Sequence, residues 1–215
     1  MANRQIGTLR KEYGIMELTE SSVDSNPIDQ FESWFKLALE REGDEANATT
    51  LSTIGLDGYP VGRIVLLKFY SEDGFTFYTN YNSSKARELN NNPKASLTFY
   101  WRTMERQIRI TGDIEKVDPI ISDEYFNSRP RASRIGAWAS PQSEEIEGRE
   151  VLEKKEKEFE KQFEGQENIP RPEHWGGYML NPVKVEFWQG RASRLHDRIV
   201  YSKSGTEWNI KRLAP

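Results

Sequence analysis

The sequence predicts an α+β fold: an antiparallel sheet of the barrel kind, with helices inserted between its strands. Three observations carry this. Several segments alternate apolar and polar residues with period two, as half-buried strands do. Turn signals at Leu56-Asp57-Gly58-Tyr59-Pro60 and Ser71-Glu72-Asp73-Gly74 join neighbouring strands as hairpins. Helical segments fall at irregular intervals instead of alternating with strands, which argues against a doubly wound parallel sheet.

Each element follows in order. Residues 1–24 lack sustained periodicity and read as a mobile N-terminal arm, with 25–215 as a single domain. Asn26 and Pro27 supply an N-cap and a first-turn proline. Ile28, Phe31, Phe35 and Ala38 recur at helical spacing, so 27–42 is an amphipathic helix. Strands are expected at 49–55, 61–70 and 75–79, then a short helix at 83–91, capped by Asn82 or Ser83 and ending before Pro93. Ala95, Leu97, Phe99 and Trp101 alternate with Ser96, Thr98 and Tyr100 in one strand. Ile108, Ile110 and Ile114 alternate with Gln107, Arg109, Thr111 and Asp113 in another. Helices return at 119–128 and 132–138. The stretch 144–164 reads as a charged surface helix, with Glu150/Lys154 and Glu153/Lys157 as i,i+4 pairs and a thin stripe of Leu152, Phe159 and Phe163. A proline-containing loop at 165–175 precedes strands at 178–189, 198–203 and 207–213, about seven strands in all.

Composition excludes several classes of function. The 215 residues are 36% hydrophobic and 30% charged, enough for a real core under a charged surface. The longest apolar runs, such as 64–67, are about four residues against the roughly 20 of a membrane span. The start of the chain has no apolar h-region of a secretory signal, and a cytoplasmic protein is expected. A net charge of −4 argues against broad nucleic-acid binding. The absence of cysteine removes disulfides, iron–sulfur clusters, thiolate zinc sites and thiol nucleophiles. Two histidines, His174 and His196, are too few for a multi-histidine metal site, so no metal is expected. Gly-x-Gly-x-x-Gly, Walker A, Gly-x-Ser-x-Gly and His-Glu-x-x-His patterns are all missing. An enzyme built from this chain needs an organic cofactor, or carboxylate, hydroxyl and basic chemistry.

Four basic clusters remain. Arg63 and Lys68 bracket an apolar strand, and strand parity puts them on opposite faces unless a bulge intervenes; the alternative is charge protecting a sheet edge. Tyr78 to Lys85 leads from strand to helix, where free amides, hydroxyls and a lysine suit a phosphate. Arg129, Arg131 and Arg134 crowd one turn, as bidentate phosphate recognition or as a solvated basic turn. At 187–198, His196 stands between Arg194 and Arg198, where like charge disfavours its protonated form unless Asp197 or a ligand phosphate compensates. Together these point to a phosphorylated organic cofactor, and to a phosphorylated substrate beside it.

The order of motifs resembles the pyridoxine/pyridoxamine 5′-phosphate oxidase family. Matching elements are Leu9 to Tyr13, Arg63 to Lys68, Phe77 to Asn80, Glu105-Arg106-Gln107, Tyr125 to Arg131, Ile135 to Trp138, Gln142-Ser143, Phe187 to Gly190, Arg194 to Arg198 and Arg212 to Pro215. They run collinearly over nearly the whole chain. The resemblance implies an FMN-binding split β-barrel with peripheral helices, working as a homodimer with FMN at the subunit interface. It assigns FMN contacts to Arg63, Ile64, Val65, Leu66, Leu67, Lys68, Tyr78, Thr79, Lys85, Gln107, Gln142, Ser143, Trp188 and Arg198. Substrate contacts fall to Lys68, Tyr125, Arg129, Ser133, Arg194, Leu195 and His196, with Arg10 and Tyr13 on an N-terminal segment that closes over the substrate. Arg194 and His196 are the catalytic candidates. Ser84 stands where the family commonly has arginine, so its hydroxyl is the expected substitute contact. The implied reaction passes a hydride from substrate C4′ to flavin N5, and O2 reoxidises the flavin to give hydrogen peroxide. The alternative is a non-catalytic FMN or pyridoxal-phosphate binding module on the same barrel.

Overall fold

Asn26 opens the first helix as its sequence predicts. Its side-chain oxygen accepts the Ile28 N–H at 2.9 Å, and Pro27 begins helix α1 (Pro27–Glu42). In this computed structural model, which describes residues 11–215, four further helices follow: α2 (Ser84–Asn91), α3 (Pro119–Ser128), α4 (Arg131–Ala139) and α5 (Arg149–Gln162). Nine strands accompany them: β1 (Ala48–Ile54), β2 (Pro60–Leu66), β3 (Phe69–Ser71), β4 (Gly74–Asn80), β5 (Lys94–Trp101), β6 (Arg106–Lys116), β7 (Trp175–Gln189), β8 (Asp197–Ser204) and β9 (Glu207–Arg212). No helix among the described residues is long and apolar enough to cross a membrane. Arg10 lies outside the described residues.

The strands form one sheet in the order β2-β1-β5-β6-β7-β4-β3, with β8 pairing with β7 and β9 with β8. No ladder joins β2 to β3 among the described residues, so the sheet stays open. The mixture of helices and antiparallel ladders is the predicted one. Strand β7 changes partner along its length: Trp175 to Leu180 pair with β4, and Lys184 to Gln189 pair with β8, both antiparallel. Pro182 sits in the interval between these ladders, where a residue without an N–H disturbs neither.

Three local expectations are corrected. The strand expected at 61–70 is two strands, because Lys68 leaves the line of β2 and donates its N–H to Thr76 O on β4 at 2.8 Å. That break brings the strands to nine. Ser83 does not cap α2 through its side chain; its hydroxyl donates to Asn80 O at 2.7 Å instead. The charged helix begins at Arg149, after an irregular 141–148 in which Ser143 adopts φ 72°. Its ion pairs are Arg149–Glu153 and Lys154–Glu158 rather than the two expected, because several acids and bases compete along one solvated face. The stripe is as thin as predicted, with Phe159 half-buried and only Phe163, just past the helix, fully buried.

The chain divides into two compact units. One gathers the described residues up to Ala48 with Leu97–Ile110 and Val183–Pro215; the other comprises Thr49–Ser96 and Thr111–Pro182. In the first unit α1 lays Phe31 edge-on to Phe99 (5.4 Å between centroids), and Trp34 edge-on to Phe187 (5.2 Å). Ala38 and Ile28 complete the buried face. In the second unit Phe126, Ile135, Phe163, Ile169 and Trp175 form one buried cluster under α3 and α4. Arginines hold the loop that closes it. Arg131 donates to Gln166 O (2.6 Å) and Phe163 O (2.7 Å), Arg134 to Glu167 O (3.3 Å), and Arg171 to Asp123 (2.7 Å).

Close approach of β6 to β7 requires a residue without a side chain at Gly112, whose Cβ would stand 2.1 Å from Asn181 O. Gly112→Ala is therefore expected to destabilise the protein by about 1–3 kcal/mol, the usual cost of overpacking. Thermal unfolding should show Tm lowered by roughly 2–12 °C.

Candidate active site

Two clefts hold most of the predicted site residues, one in each unit. The cleft of the second unit has a volume of about 490 Å3. Ile64, Val65 and Leu66 from β2 line it, with Lys68, Tyr78 and Thr79 from β4, Lys85 from α2, Tyr125 from α3, and Arg129, Ser133, Gln142 and Trp175. Residues assigned to cofactor and to substrate thus share one cavity. Thr79 and Lys85 both bond to Gln142 Oε1, at 3.0 and 2.8 Å. Burial, with Arg63 nearby, lowers the Lys85 pKa, although Glu88 opposes this.

Aromatic rings support the other wall. Tyr78 lies 4.1 Å from Tyr125 and stacks on Trp175 at 5.3 Å. Arg129 places its guanidinium 4.6 Å from the Trp175 ring centroid, within cation–π range. Its Nη1 is buried without a hydrogen-bond partner, and so is the Tyr78 hydroxyl. Burial pushes the Tyr78 phenol up to about 12 and lowers the Arg129 pKa. Of the three clustered arginines, only Arg129 lines the cleft; Arg131 and Arg134 bind loop carbonyls.

Arg63 and Lys68 do serve different surroundings. Lys68 lines the cleft, whereas Arg63 pairs with Glu88 at 2.7 Å and donates to Thr53 Oγ1. Arg63 stands on the edge strand β2, but its charge is neutralised against α2 rather than left to solvent. Leu67 is buried, and Ser143 is exposed on the loop before α5. Ser84 begins α2 and accepts from Arg87 Nη2 at 3.3 Å, while Arg87 Nη1 reaches Asn82 O at 2.7 Å. A guanidinium from one turn further along therefore lies against the Ser84 hydroxyl.

The first unit's cleft measures about 580 Å3 and is lined by Lys11, Glu12, Tyr13, Arg191, Ser193, Arg194 and His196. Ser193 and Arg194 both adopt positive φ, 56° and 62°. Two consecutive non-glycine residues in that region store strain of the kind found at functional turns. The His196 ring lies 4.6 Å from Trp188, and its Nδ1 accepts the Arg191 N–H at 3.1 Å, which places the ring proton on Nε2. Asp197 does not compensate His196: it pairs with Arg191 (3.1 Å) and Arg212 (2.8 Å). Leu195 is exposed beside the cleft, and Gln107 is half-buried on β6. Arg198 is held by Glu186, which also takes Arg109.

The sequence reading missed Trp175, the aromatic floor beneath Arg129, and gave no role to Lys11 and Arg191, which lie within the 9–13 motif and the 187–198 cluster and line the first unit's cleft. Trp175 fell in the loop expected at 165–175, whereas the strand begins at Trp175 itself, and nothing local tied it to Arg129.

An open antiparallel sheet with intervening helices, carrying a cationic and aromatic cleft, defines the class. Residues 36–163 match the pyridoxamine 5′-phosphate oxidase family, and residues 175–215 match the pyridoxine 5′-phosphate oxidase C-terminal dimerisation region. The pyridoxine/pyridoxamine 5′-phosphate oxidase of Nostoc punctiforme is 53% identical over 215 residues, 99% of this chain and all of that protein. Its counterpart from Paraburkholderia phymatum is 54% identical over 211 residues, 98% of this chain and 99% of the relative. The chain belongs to the pyridoxamine 5′-phosphate oxidase family. Among solved structures, PhzG from Burkholderia lata 383, in complex with tetrahydrophenazine-1-carboxylic acid, superposes with TM-score 0.87 at 29% identity, over 94% of this chain and all of that one. A pyridoxamine 5′-phosphate oxidase-related, FMN-binding protein from Nostoc punctiforme shares the fold, with TM-score 0.67 at 20% identity over 93% of this chain and all of the other.

Burial would raise the Glu186 pKa, but Arg198 and Arg109 outweigh it and hold the carboxyl below its ordinary 4.5. A carboxyl depressed on folding contributes stability that is fully present above the unfolded value and is lost as pH falls through the folded one. Glu186→Gln should therefore lower Tm at pH 7, and the gap to wild type should close as pH drops below about 4.5. Thermal melts across pH 3–7, in steps of about half a unit, check this.

Proposed function

We propose that this protein is an FMN-dependent oxidase converting pyridoxine 5′-phosphate and pyridoxamine 5′-phosphate to pyridoxal 5′-phosphate. The observation that carries this reading is the second unit's cleft, where a buried, unpartnered Arg129 Nη1 shares a cavity with Lys68, Tyr125, Ser133 and the flavin-assigned residues of β2 and β4. The relatives at above 50% identity, matched end to end, support it. With the alcohol substrate, O2 is reduced to hydrogen peroxide as the CH–OH becomes an aldehyde. With the amine, water also enters and ammonia leaves.

The residues present fit FMN. The first amides of α2 have no side-chain cap, and Lys85 stands beside them, a setting suited to the flavin phosphate. Ser84 and Arg87 take the position where arginine is common in the family, and Arg63 adds to the positive field on Lys85. Bound FMN would supply the hydride acceptor at N5 and hand the electrons on to O2. The protein's part is binding and orientation. Arg129, Lys68, Tyr125 and Ser133 bind the substrate phosphate, and the Trp175 ring supports the Arg129 guanidinium at 4.6 Å. Arg194 and His196 attend the pyridine ring and C4′, Arg194 directly assisting the chemistry there. Gln107, Trp188 and Arg198 are the remaining flavin contacts, Arg198 being fixed by Glu186. We assign a homodimer with FMN at the subunit interface, which the match of residues 175–215 to a dimerisation region supports.

Anaerobic addition of pyridoxine 5′-phosphate to the yellow, FMN-loaded protein is expected to bleach the flavin band. An unchanged spectrum with substrate bound would leave only the binding module. A second expectation concerns Arg129, whose phosphate partner is remote from the reacting carbon. A contact that changes little between ground and transition states appears mainly in KM. Losing a charge-assisted hydrogen bond of about 1.5–3 kcal/mol should lower kcat/KM roughly 10- to 150-fold. Arg129→Leu should therefore raise KM for pyridoxine 5′-phosphate in that range at normal FMN content. Flavin loss with unchanged KM would reassign Arg129 to the cofactor.

A further inference from the structure

We infer that Glu105 is the positioning residue that seats Tyr13 against His196 and Trp188, so that substrate retention in the Arg194–His196 cleft depends on a carboxylate that touches neither substrate nor cofactor. The inference rests on the functional reading above for its kinetic part and on geometry for the rest.

Residues 11–19 contain no helix or strand, yet Tyr13 has a defined place. Its ring is edge-on to Trp188 (5.8 Å, 88°) and to His196 (5.8 Å, 67°). The Tyr13 hydroxyl meets Tyr100, and the chain flanking the ring is held by one further side chain. Glu105 Oε2 accepts the Gly14 N–H at 2.9 Å and the Ile15 N–H at 3.4 Å, and Oε1 pairs with Lys11 Nζ at 3.1 Å. Three donors flanking Tyr13 thus converge on a carboxylate that is only 2% exposed. A buried charge is costly unless such donors satisfy it. Burial alone would raise its pKa, but the Gly14 amide, Lys11 and the Ile15 amide outweigh this and hold it below the ordinary range.

The backbone at Glu105 fits the same purpose. It ends a one-turn helix, Arg102–Met104, in the left-handed region at φ 56°, and its carbonyl accepts the Gly190 N–H at 2.8 Å. Gly190 then leaves the ring its room. A Cβ there would stand 2.8 Å from Tyr13 Cγ and 3.0 Å from Glu105 Cβ. Glu105 and Gly190 therefore shape one seat, the first by attraction and the second by vacancy of a side chain. A carboxylate serving only the fold would need no aromatic placed over the cleft between its donors.

Glu105→Asn keeps a residue that tolerates the left-handed backbone while withdrawing the carboxylate. Glu105→Gln keeps an acceptor for the two amides and loses the Lys11 pair. Gly190→Ala leaves Glu105 intact and obstructs Tyr13. Flavin-loaded proteins are compared by hydrogen exchange and by steady-state kinetics with pyridoxine 5′-phosphate. In Glu105→Asn the Gly14 and Ile15 amides should exchange about tenfold faster or more, the weight of a charge-assisted hydrogen bond. Leu18, whose N–H donates to Asp197 at 3.1 Å, should remain protected. KM should rise by about tenfold with kcat within about twofold, Glu105→Gln should lie between, and Gly190→Ala should share the KM effect. Unchanged exchange at Gly14 and Ile15 overturns the anchoring role. Faster exchange with unchanged KM overturns the positioning role. If the asparagine variant does not fold, an unchanged KM in Gly190→Ala overturns the inference by itself. A wild-type protein inactive on this substrate overturns the functional reading instead, and the exchange result still decides whether Glu105 seats the segment.

Discussion

Positive charge without a counter-charge governs the second unit. Arg129 lies against Trp175 with one nitrogen buried and unbonded, and Lys68 and Lys85 line the same cavity. Isolated cations taken out of water are destabilising unless an anion or a π-face meets them. The rest of the unit reads as the support for that arrangement. Trp175 is the first residue of β7, so the ladder between β7 and β4 sets the height of the aromatic floor and of Tyr78 together. The cluster of Phe126, Ile135, Phe163 and Ile169 fixes α3 and α4, whose junction carries Arg129. Even the neighbouring arginines work for the scaffold, fastening the 163–167 loop through its carbonyls.

The first unit has the opposite character. Its organising groups are carboxylates, each collecting several donors. Glu186 holds Arg109 and Arg198, Asp197 holds Arg191, Arg212 and the Leu18 amide, and Glu105 holds the chain at residues 11–15. Here the cations are oriented by their acids, so direction rather than net charge is what the unit supplies. Arg194 has no such acid among the described residues and is exposed, and Arg106 is held by Gln189 and the Trp34 ring instead.

Much of this was legible in the sequence because the determinants were local. Asn26-Pro27 specifies the start of α1 within three residues, and the Asp57-Gly58 turn places Gly58 at φ 86° without outside help. Alternation in β5 and β6 reports burial directly. Other features depend on partners distant in the chain. The break after Leu66 exists because Lys68 finds Thr76 O, and Arg131 and Arg134 are diverted by a loop more than thirty residues away. Glu105 stood in a recognised motif with no role attached, since its donors lie 90 and 91 positions back. The collinear motifs named most residues of both clefts; only the folded chain divides them between the two units.

The paired left-handed residues Ser193 and Arg194 set a limit on improving this protein. Glycine is the residue that the local backbone there favours, so selection for heat resistance alone would drift toward glycine at both positions. At 194 that gain would erase a guanidinium that lines the cleft. A more durable backbone and a cation kept in the cleft are, at that turn, competing designs.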